Sequence, residues 1–163
     1  MGKQIKDKNK ARELIDKIPY LKDFESKDKD TLAGLSFFRE YSEGDFVIEQ
    51  DTPNLELYFL VRGKVDVLLD GNHIVSLRGG GRIFGEMSFM NHSFTSASVK
   101  ASTDIVMLVF KIAGILSLKN DDHARLKIDF YTSVAEMLAQ KLVDTTLLAQ
   151  SYKTLAAQKS EDL

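Results

Sequence analysis

The sequence predicts a fold of the α+β class, in which an antiparallel β-barrel of the jelly-roll type is flanked by N-terminal helices and a long C-terminal helix. Three observations support this prediction. Between Arg39 and Phe110, short runs rich in β-branched and aromatic residues recur at intervals of roughly ten residues. Turn signals, such as the Asp-Gly pair at 70–71, separate these runs. Apolar residues follow helical spacing at both ends of the chain.

The N-terminal segment, residues 1–38, is predicted to be helical. A charged stretch leads into a first short helix that Pro19 ends, because proline cannot continue a helix. A second short helix is predicted over 26–38, since Leu32 and Leu35 recur at helical spacing after polar, cap-like residues.

The central segment, residues 39–111, is predicted to hold the β-structure. Short antiparallel strands joined by tight turns form either a sandwich or a barrel, and we expect the barrel. The runs that predict strands are 45–48, 57–61, 65–69 and 105–109.

The C-terminal segment, residues 112–163, is predicted to be helical and to end in a long helix. From about residue 121 to residue 159 the sequence contains neither glycine nor proline. So long a helix projects beyond a small domain, and its apolar stripe then needs a partner, so we expect it to form a homodimer. The positions that follow the 4-3 spacing of such a seam are Val134, Leu138, Lys141, Thr145, Leu148, Tyr152 and Leu155.

Composition limits the function. The 163 residues are 44% hydrophobic and 28% charged, which is typical of one packed domain. The 22 basic and 24 acidic residues leave a net charge of −2, so we expect no direct DNA binding. The chain has no cysteine, no apolar N-terminal stretch and no run long enough to span a membrane, and we expect a cytoplasmic protein without a membrane anchor.

The motifs of common enzymes are not satisfied. The glycine-rich stretch 79–85 has Phe84 where a dinucleotide motif needs glycine, and the Glu-Met pair at 86–87 where a P-loop needs Lys-Ser or Lys-Thr. His73, His92 and His123 lack the paired spacing of zinc ligands. We therefore expect neither an enzyme nor a metal site.

One region carries a resemblance to a known family. The stretches 84–89 and 94–99 resemble the phosphate-binding cassette of the cyclic nucleotide-binding domain family, and 18–21, 43–45 and 61–65 resemble its other turns and its first helix. The family includes bacterial catabolite activators and regulatory subunits of cyclic-nucleotide-dependent kinases. The resemblance covers nearly the whole chain, implies a cassette at 84–98, and implies a cyclic nucleotide as ligand.

The resemblance also implies roles for particular residues. Glu86, after Gly85, takes the position of the glutamate that accepts the ribose 2′-hydroxyl. Gly85 takes the position where the backbone approaches the ligand. Met87 and Ser88 begin the short helix whose backbone N–H groups face the phosphate, and Ser96 takes the position of a small hydroxyl residue against that phosphate.

Two adjacent hydroxyl residues of the long helix contact the base in catabolite activators, one of them across the dimer. Thr145 and Thr146 match these positions. Adjacent threonines are unfavourable inside a helix, which draws attention to them. A role as solvent-facing threonines beside a polar layer of the dimer seam stays equally open.

The sequence departs from the family at its Pro-Arg pair, which is replaced by Phe94 and Thr95. The hydroxyl of Thr95 offers the phosphate only a neutral hydrogen bond in place of a charged, bidentate one, a loss of about 1.5–3 kcal/mol. Arg82, Lys100 or His92 could replace the lost charge.

These observations predict a sensor protein without catalytic activity. We expect it to bind cAMP, with cGMP as the other candidate ligand, and to signal through a homodimer and an unidentified protein partner. The alternative is a degenerate pocket in a scaffold protein that binds partners independently of any ligand. Thr95 favours that alternative, and Glu86 and Thr145 oppose it.

Overall fold

The computed structural model describes residues 2–91, 94–119 and 123–161, with the side chains of 89–91 and 154–161 left out of the description. Most of the strands lie between the N-terminal helices and one long helix that completes the described chain. The strands are β1 (Lys3–Ile5), β2 (Ser36–Tyr41), β3 (Phe46–Ile48), β4 (Glu56–Arg62), β5 (Lys64–Leu69), β6 (Asn72–Arg78), β7 (Ile83–Phe84), β8 (Ser98–Ala101) and β9 (Ile105–Lys111). The helices are α1 (Lys8–Ile15), α2 (Ser26–Leu35), α3 (Glu86–Asn91), α4 (Ile112–Leu116) and α5 (Ala124–Glu161), with a 3-10 turn at Pro19–Leu21.

The strands form two antiparallel sheets rather than a closed barrel. One sheet has the order β1-β2-β9-β4-β7, and the other has the order β3-β8-β5-β6. Within the described residues no ladder joins the two sheets, so the prediction of a closed barrel is wrong. The strands that would have to bridge the sheets are too short, because β7 has two residues and β3 has three with an irregular register.

The core lies in two layers, one on each face of the five-stranded sheet. On β4, Leu57 and Phe59 pack with the helices, whereas Tyr58 and Leu60 pack between the two sheets. A strand that is buried on both faces has apolar residues at consecutive positions. This is why apolar and polar residues do not alternate in the sequence of β4.

The second helix is shorter than the sequence predicts. It ends at Leu35, and the residues that follow enter β2. Phe37 packs in the layer between the sheets and Phe38 in the helical layer, which only an extended chain allows for consecutive residues. At the N-terminus, β1 pairs with the outer edge of β2, in the charged stretch that was expected to lead into the first short helix.

Helix α5 confirms the prediction of one long helix after the β-structure. It has 38 residues, a length of about 57 Å. Leu126, Phe130 and Val134 are buried in the helical layer of the core, and Met137 is also buried. From Ala139 to Lys153 every side chain is exposed. No helix in the described ranges is both long and apolar enough to cross a membrane.

Candidate functional site

A cavity of about 330 Å³ opens between the four-stranded sheet, the β7–α3 segment and helix α5. Its lining combines strand residues, the predicted cassette and two side chains of the long helix. The predicted site residues that line this cavity are Gly85, Glu86, Met87, Ser88, Thr95, Ser96 and Thr145. The fold therefore brings together residues that lie up to 60 positions apart in the sequence.

Gly85 forms the sharp turn between β7 and α3. Its φ angle is +87°, a conformation that side-chain-bearing residues rarely adopt. A Cβ atom here would lie 2.4 Å from the carbonyl oxygen of Glu56 and 2.7 Å from Nδ2 of Asn54. Close packing against the start of β4 therefore requires glycine, whereas the resemblance attributes this glycine to the approach of a ligand.

Glu86, the first residue of α3, places its carboxylate inside the cavity. The residue is 6% exposed, and its Oε1 atom accepts a hydrogen bond of 2.7 Å from the Nζ atom of Lys141 on α5. Lys141 also donates to the carbonyl oxygen of Ile83 at 2.7 Å. Its ammonium group lies 5.9 Å from the ring centre of Phe84. These contacts connect the turn before α3 directly to the long helix.

Lys141 is the site residue that the sequence analysis missed. It appeared there only as a position in the apolar stripe, although it lies one helical turn before Thr145. Among the described residues that line the cavity, Glu86 and Lys141 are the only two that carry charge. Their charges cancel, so the described lining is neutral.

Thr95 is buried, with 4% exposure, and its hydroxyl is engaged by the loop between β3 and β4. The Oγ1 atom donates to the carbonyl oxygen of Glu49 and accepts from the backbone N–H of Thr52 at 3.2 Å. The hydroxyl proton is therefore used within the protein. Thr95 lines the cavity, yet its hydroxyl stabilises a loop.

Ser96, Met87 and Ser88 line the same part of the cavity. The Oγ atom of Ser96 lies 3.6 Å from the Sδ atom of Met87, a weak contact, and both residues are exposed at the mouth. Ser88 is buried. The exposed hydroxyl of Ser96 is thus open to a molecule that enters the cavity.

Two of the three cations named as substitutes for the family arginine, Arg82 and Lys100, do not line the cavity. Arg82 is exposed in the turn before β7. Strand alternation places Val99 toward the cavity and Lys100 on the opposite face of the sheet, where its Nζ atom lies 5.4 Å from the ring centre of Phe46. His92 lies outside the described residues.

The two adjacent threonines of α5 differ in position. Thr145 lines the cavity and donates its hydroxyl to the carbonyl oxygen of Lys141 at 2.8 Å. Thr146 is exposed, does not line the cavity, and donates to the carbonyl oxygen of Leu142 at 2.8 Å. Within one chain, therefore, Thr145 lines the cavity and Thr146 does not.

An apolar wall completes the site. Ile48, Val67, Val75 and Leu77, from β3, β5 and β6, line the cavity opposite the charged pair. Alternation along β5 and β6 is the signal that marks these residues, since every second side chain shares a face. A flat apolar group could pack on this wall while polar groups face Glu86 and Lys141.

The described residues contain no group of three or more histidine, aspartate or glutamate side chains that could hold a metal ion. Elsewhere, the carboxylates of Asp45 and Asp104 accept hydrogen bonds from backbone N–H groups of the β2–β3 loop.

Comparison with known proteins identifies the family. The family model described as the cyclic nucleotide-binding domain matches residues 38–122, a little over half of the chain. A type II regulatory subunit of cAMP-dependent protein kinase from Drosophila melanogaster is 31% identical over 101 residues, which are 60% of this chain and 27% of that protein. A cGMP-dependent 3′,5′-cGMP phosphodiesterase A from Dictyostelium discoideum is 34% identical over 113 residues, 68% of this chain and 12% of that protein. The chain thus spans about a quarter or less of either relative.

A solved structure shares the fold. A cyclic nucleotide-binding domain from Methylobacillus flagellatus superimposes with a TM-score of 0.70 at 19% identity, covering 84% of this chain and 79% of that one. The match of the family model covers β2 from Phe38 onward, strands β3 to β9 and the cassette. The resemblance seen in the sequence is confirmed, and this chain belongs to the cyclic nucleotide-binding domain family.

Proposed function

We propose that this chain is a sensor domain that binds a cyclic purine nucleotide, with cAMP as the first candidate, and reports occupancy through α5. The observation that carries the proposal is the buried carboxylate of Glu86 inside a cavity that also has an apolar wall. A carboxylate accepts a hydrogen bond from a ribose hydroxyl, and an apolar wall accommodates a flat base. The proposal assigns no catalytic step to the domain and no contact with DNA.

The ligand could be cAMP or cGMP, and the relatives include proteins named for each nucleotide. Both ligands present the same ribose and the same singly charged cyclic phosphate. They differ at the edge of the base, which would face the apolar wall and Thr145. Contacts of that edge therefore determine which nucleotide is preferred.

We further propose that the protein acts as a homodimer through α5. Leu142, Val143, Leu147, Leu148 and Tyr152 are each more than half exposed. Side chains this apolar, repeated along one helix, are stabilised when a second copy covers them. In the dimer, Thr146 of each copy would face the other copy. An unidentified protein partner would bind differently to the occupied and the empty dimer. A cytoplasmic location stays a prediction from the sequence.

A second function is favoured by one observation. The hydroxyl of Thr95 is used by the β3–β4 loop, and the position of the family arginine offers the phosphate no cation. A pocket that has lost its ligand could be retained because it holds the fold together. The protein would then be a scaffold that binds its partners independently of any nucleotide.

Calorimetric titration of the purified protein with cAMP and with cGMP separates the two functions. The sensor function predicts saturable binding of one nucleotide well below millimolar concentration. Absence of heat and of any thermal stabilisation with either nucleotide at millimolar concentration would contradict it and favour the scaffold.

A matched ligand tests the role of the carboxylate. The 2′-deoxy form of the nucleotide that binds keeps the base and the phosphate but lacks the hydroxyl assigned to Glu86. We expect its affinity to fall by about tenfold or more, because the buried carboxylate loses its partner. Equal affinity would remove Glu86 from the ligand contacts.

A further inference from the structure

We infer that Lys141 supplies the positive charge that allows this cavity to accept an anionic ligand. In this chain the charge would thus come from α5, and not from an arginine in the cassette. The inference rests on the proposed function, since it concerns how the same cavity binds a cyclic phosphate. Lys141 lies outside the cassette, 46 positions after Thr95.

The charge balance of the cavity leads to this role. The described lining holds one carboxylate, on Glu86, and one ammonium group, on Lys141. A cyclic phosphate adds one negative charge. Without Lys141 the ligand would meet a cavity of the same sign, in which a mostly buried carboxylate is poorly screened by water.

The geometry of Lys141 leaves it able to contact a ligand. Its ammonium group has three N–H donors, and two of them are used by Oε1 of Glu86 and the carbonyl oxygen of Ile83. Its side chain lines the cavity and is 45% exposed, which leaves the third donor accessible to a ligand. The lysine can therefore keep its bond to Glu86 while it faces an anion.

The other cations considered do not have this position. Arg82 does not line the cavity, and Lys100 lies on the far face of its sheet. Within the described ranges, no other lysine or arginine lines the cavity. Because Lys141 belongs to α5, the affinity for an anionic ligand becomes dependent on where that helix lies.

The test measures the affinity of the full chain for whichever cyclic nucleotide the wild type binds. Lys141→Met removes the charge and keeps an unbranched side chain, and Lys141→Arg keeps the charge. Lys153→Met, at an exposed lysine of the same helix, is the matched control. Thermal unfolding of each variant verifies that it folds, and Lys141→Gln serves in place of Lys141→Met if that variant does not.

We expect Lys141→Met to lose about ten- to a hundredfold in affinity at low salt, the value typical of a charged hydrogen bond. The loss should shrink between about 50 mM and 500 mM salt, because salt screens an exposed charge. Lys141→Arg should stay within about threefold of the wild type, and Lys153→Met should not differ from it.

Two results would overturn the inference while leaving the sensor function intact: binding by Lys141→Met within about twofold of the wild type, or an equal loss in Lys141→Arg, which would indicate shape rather than charge. A wild type that binds neither nucleotide would overturn the sensor function and this inference with it. The wild-type titration therefore separates the two failures.

Discussion

Two hydrogen bonds join Thr95, in the segment before β8, to Thr52, in the β3–β4 loop. The backbone N–H of Thr95 donates to the carbonyl oxygen of Thr52 at 3.0 Å, and the backbone N–H of Thr52 donates to Oγ1 of Thr95 at 3.2 Å. The hydroxyl of Thr95 in turn donates to the carbonyl oxygen of Glu49. The residue that replaces the family arginine is thus part of the framework that holds the β3–β4 loop.

Replacing Thr95 with valine should destabilise the fold by about 1–3 kcal/mol, because valine keeps the shape of the side chain while the partly buried N–H of Thr52 and the carbonyl of Glu49 lose a partner. Urea unfolding followed by circular dichroism measures the change. Thr146→Val, the same substitution at an exposed position, is the control and should change stability by less than about 0.5 kcal/mol. A Thr95→Val protein as stable as the wild type would contradict the role of the hydroxyl in the loop.

Glu86→Gln should weaken cyclic nucleotide binding by about ten- to a hundredfold, because an amide replaces a charged acceptor for the ribose hydroxyl. The fold should tolerate the change, since Lys141 is 45% exposed and can turn to water when its partner loses charge. Calorimetric titration gives the affinity, and the thermal midpoint without ligand is the control. Unchanged affinity would show that the ribose lies elsewhere.

Leu148→Asp should convert the proposed dimer into monomers, because a carboxylate cannot be buried in an apolar seam without a partner. Light scattering at tens of micromolar protein gives the mass. Ala139→Asp is the control, since this exposed position faces the opposite side of the helix. A wild type that is monomeric under these conditions would contradict the dimer.

Stability should fall in alkaline solution, because Tyr58 is buried. Burial raises the pKa of Tyr58, and the adjacent carboxylate of Glu56, which accepts a hydrogen bond of 2.8 Å from the tyrosine, raises it further. The unfolded chain therefore releases this proton first, so the contribution of Tyr58 is fully present below a pH of about 10 and is lost as the pH rises above it.

The expected slope is about 1 kcal/mol of lost unfolding free energy for each pH unit above about 10. Urea unfolding of the wild type and of Tyr58→Phe between about pH 8 and 11 isolates the contribution, since all other groups titrate in both proteins. The unfolding free energy of Tyr58→Phe should fall less steeply with pH than that of the wild type. The control Tyr152→Phe, at an exposed tyrosine, should show the same pH dependence as the wild type. Equal slopes in wild type and Tyr58→Phe would contradict the prediction.

The residues of the cassette could be predicted because their pattern is local. The turn at Gly85 and the carboxylate of Glu86 are adjacent in sequence, so a short motif contains both. The partner of that carboxylate could not be predicted, since Lys141 is 55 positions away and meets it only after α5 packs on the core. The same holds for Thr95, whose hydroxyl partners lie more than 40 positions earlier.

The β-structure shows the same limit. The positions of the strands can be predicted from runs of apolar residues and of alternating apolar and polar residues. Whether the two sheets close into a barrel depends on whether their edge strands are long enough to pair with each other. In β7 only Ile83 and Phe84 pair with β4, and no pattern in the sequence gives that length. Phe38 likewise fits both a helical and a strand period, and only the two-sided burial of β2 decides between them.

Because α5 is one continuous helix, a small tilt near the cavity would displace its far end by several ångströms. Among the side chains of α5 that the structure describes, Met137 is the last buried one, and Glu161 lies 24 residues, or about 36 Å, beyond it. A tilt of about 10° about Met137 would displace the far end by about 6 Å, slightly more than one helical pitch. In the proposed dimer, a displacement of that size would change which residues of the two packed helices face each other. Lys141 and Thr145 lie close to Met137 along α5, so a tilt of this kind would move these two cavity residues much less than the far end of the helix.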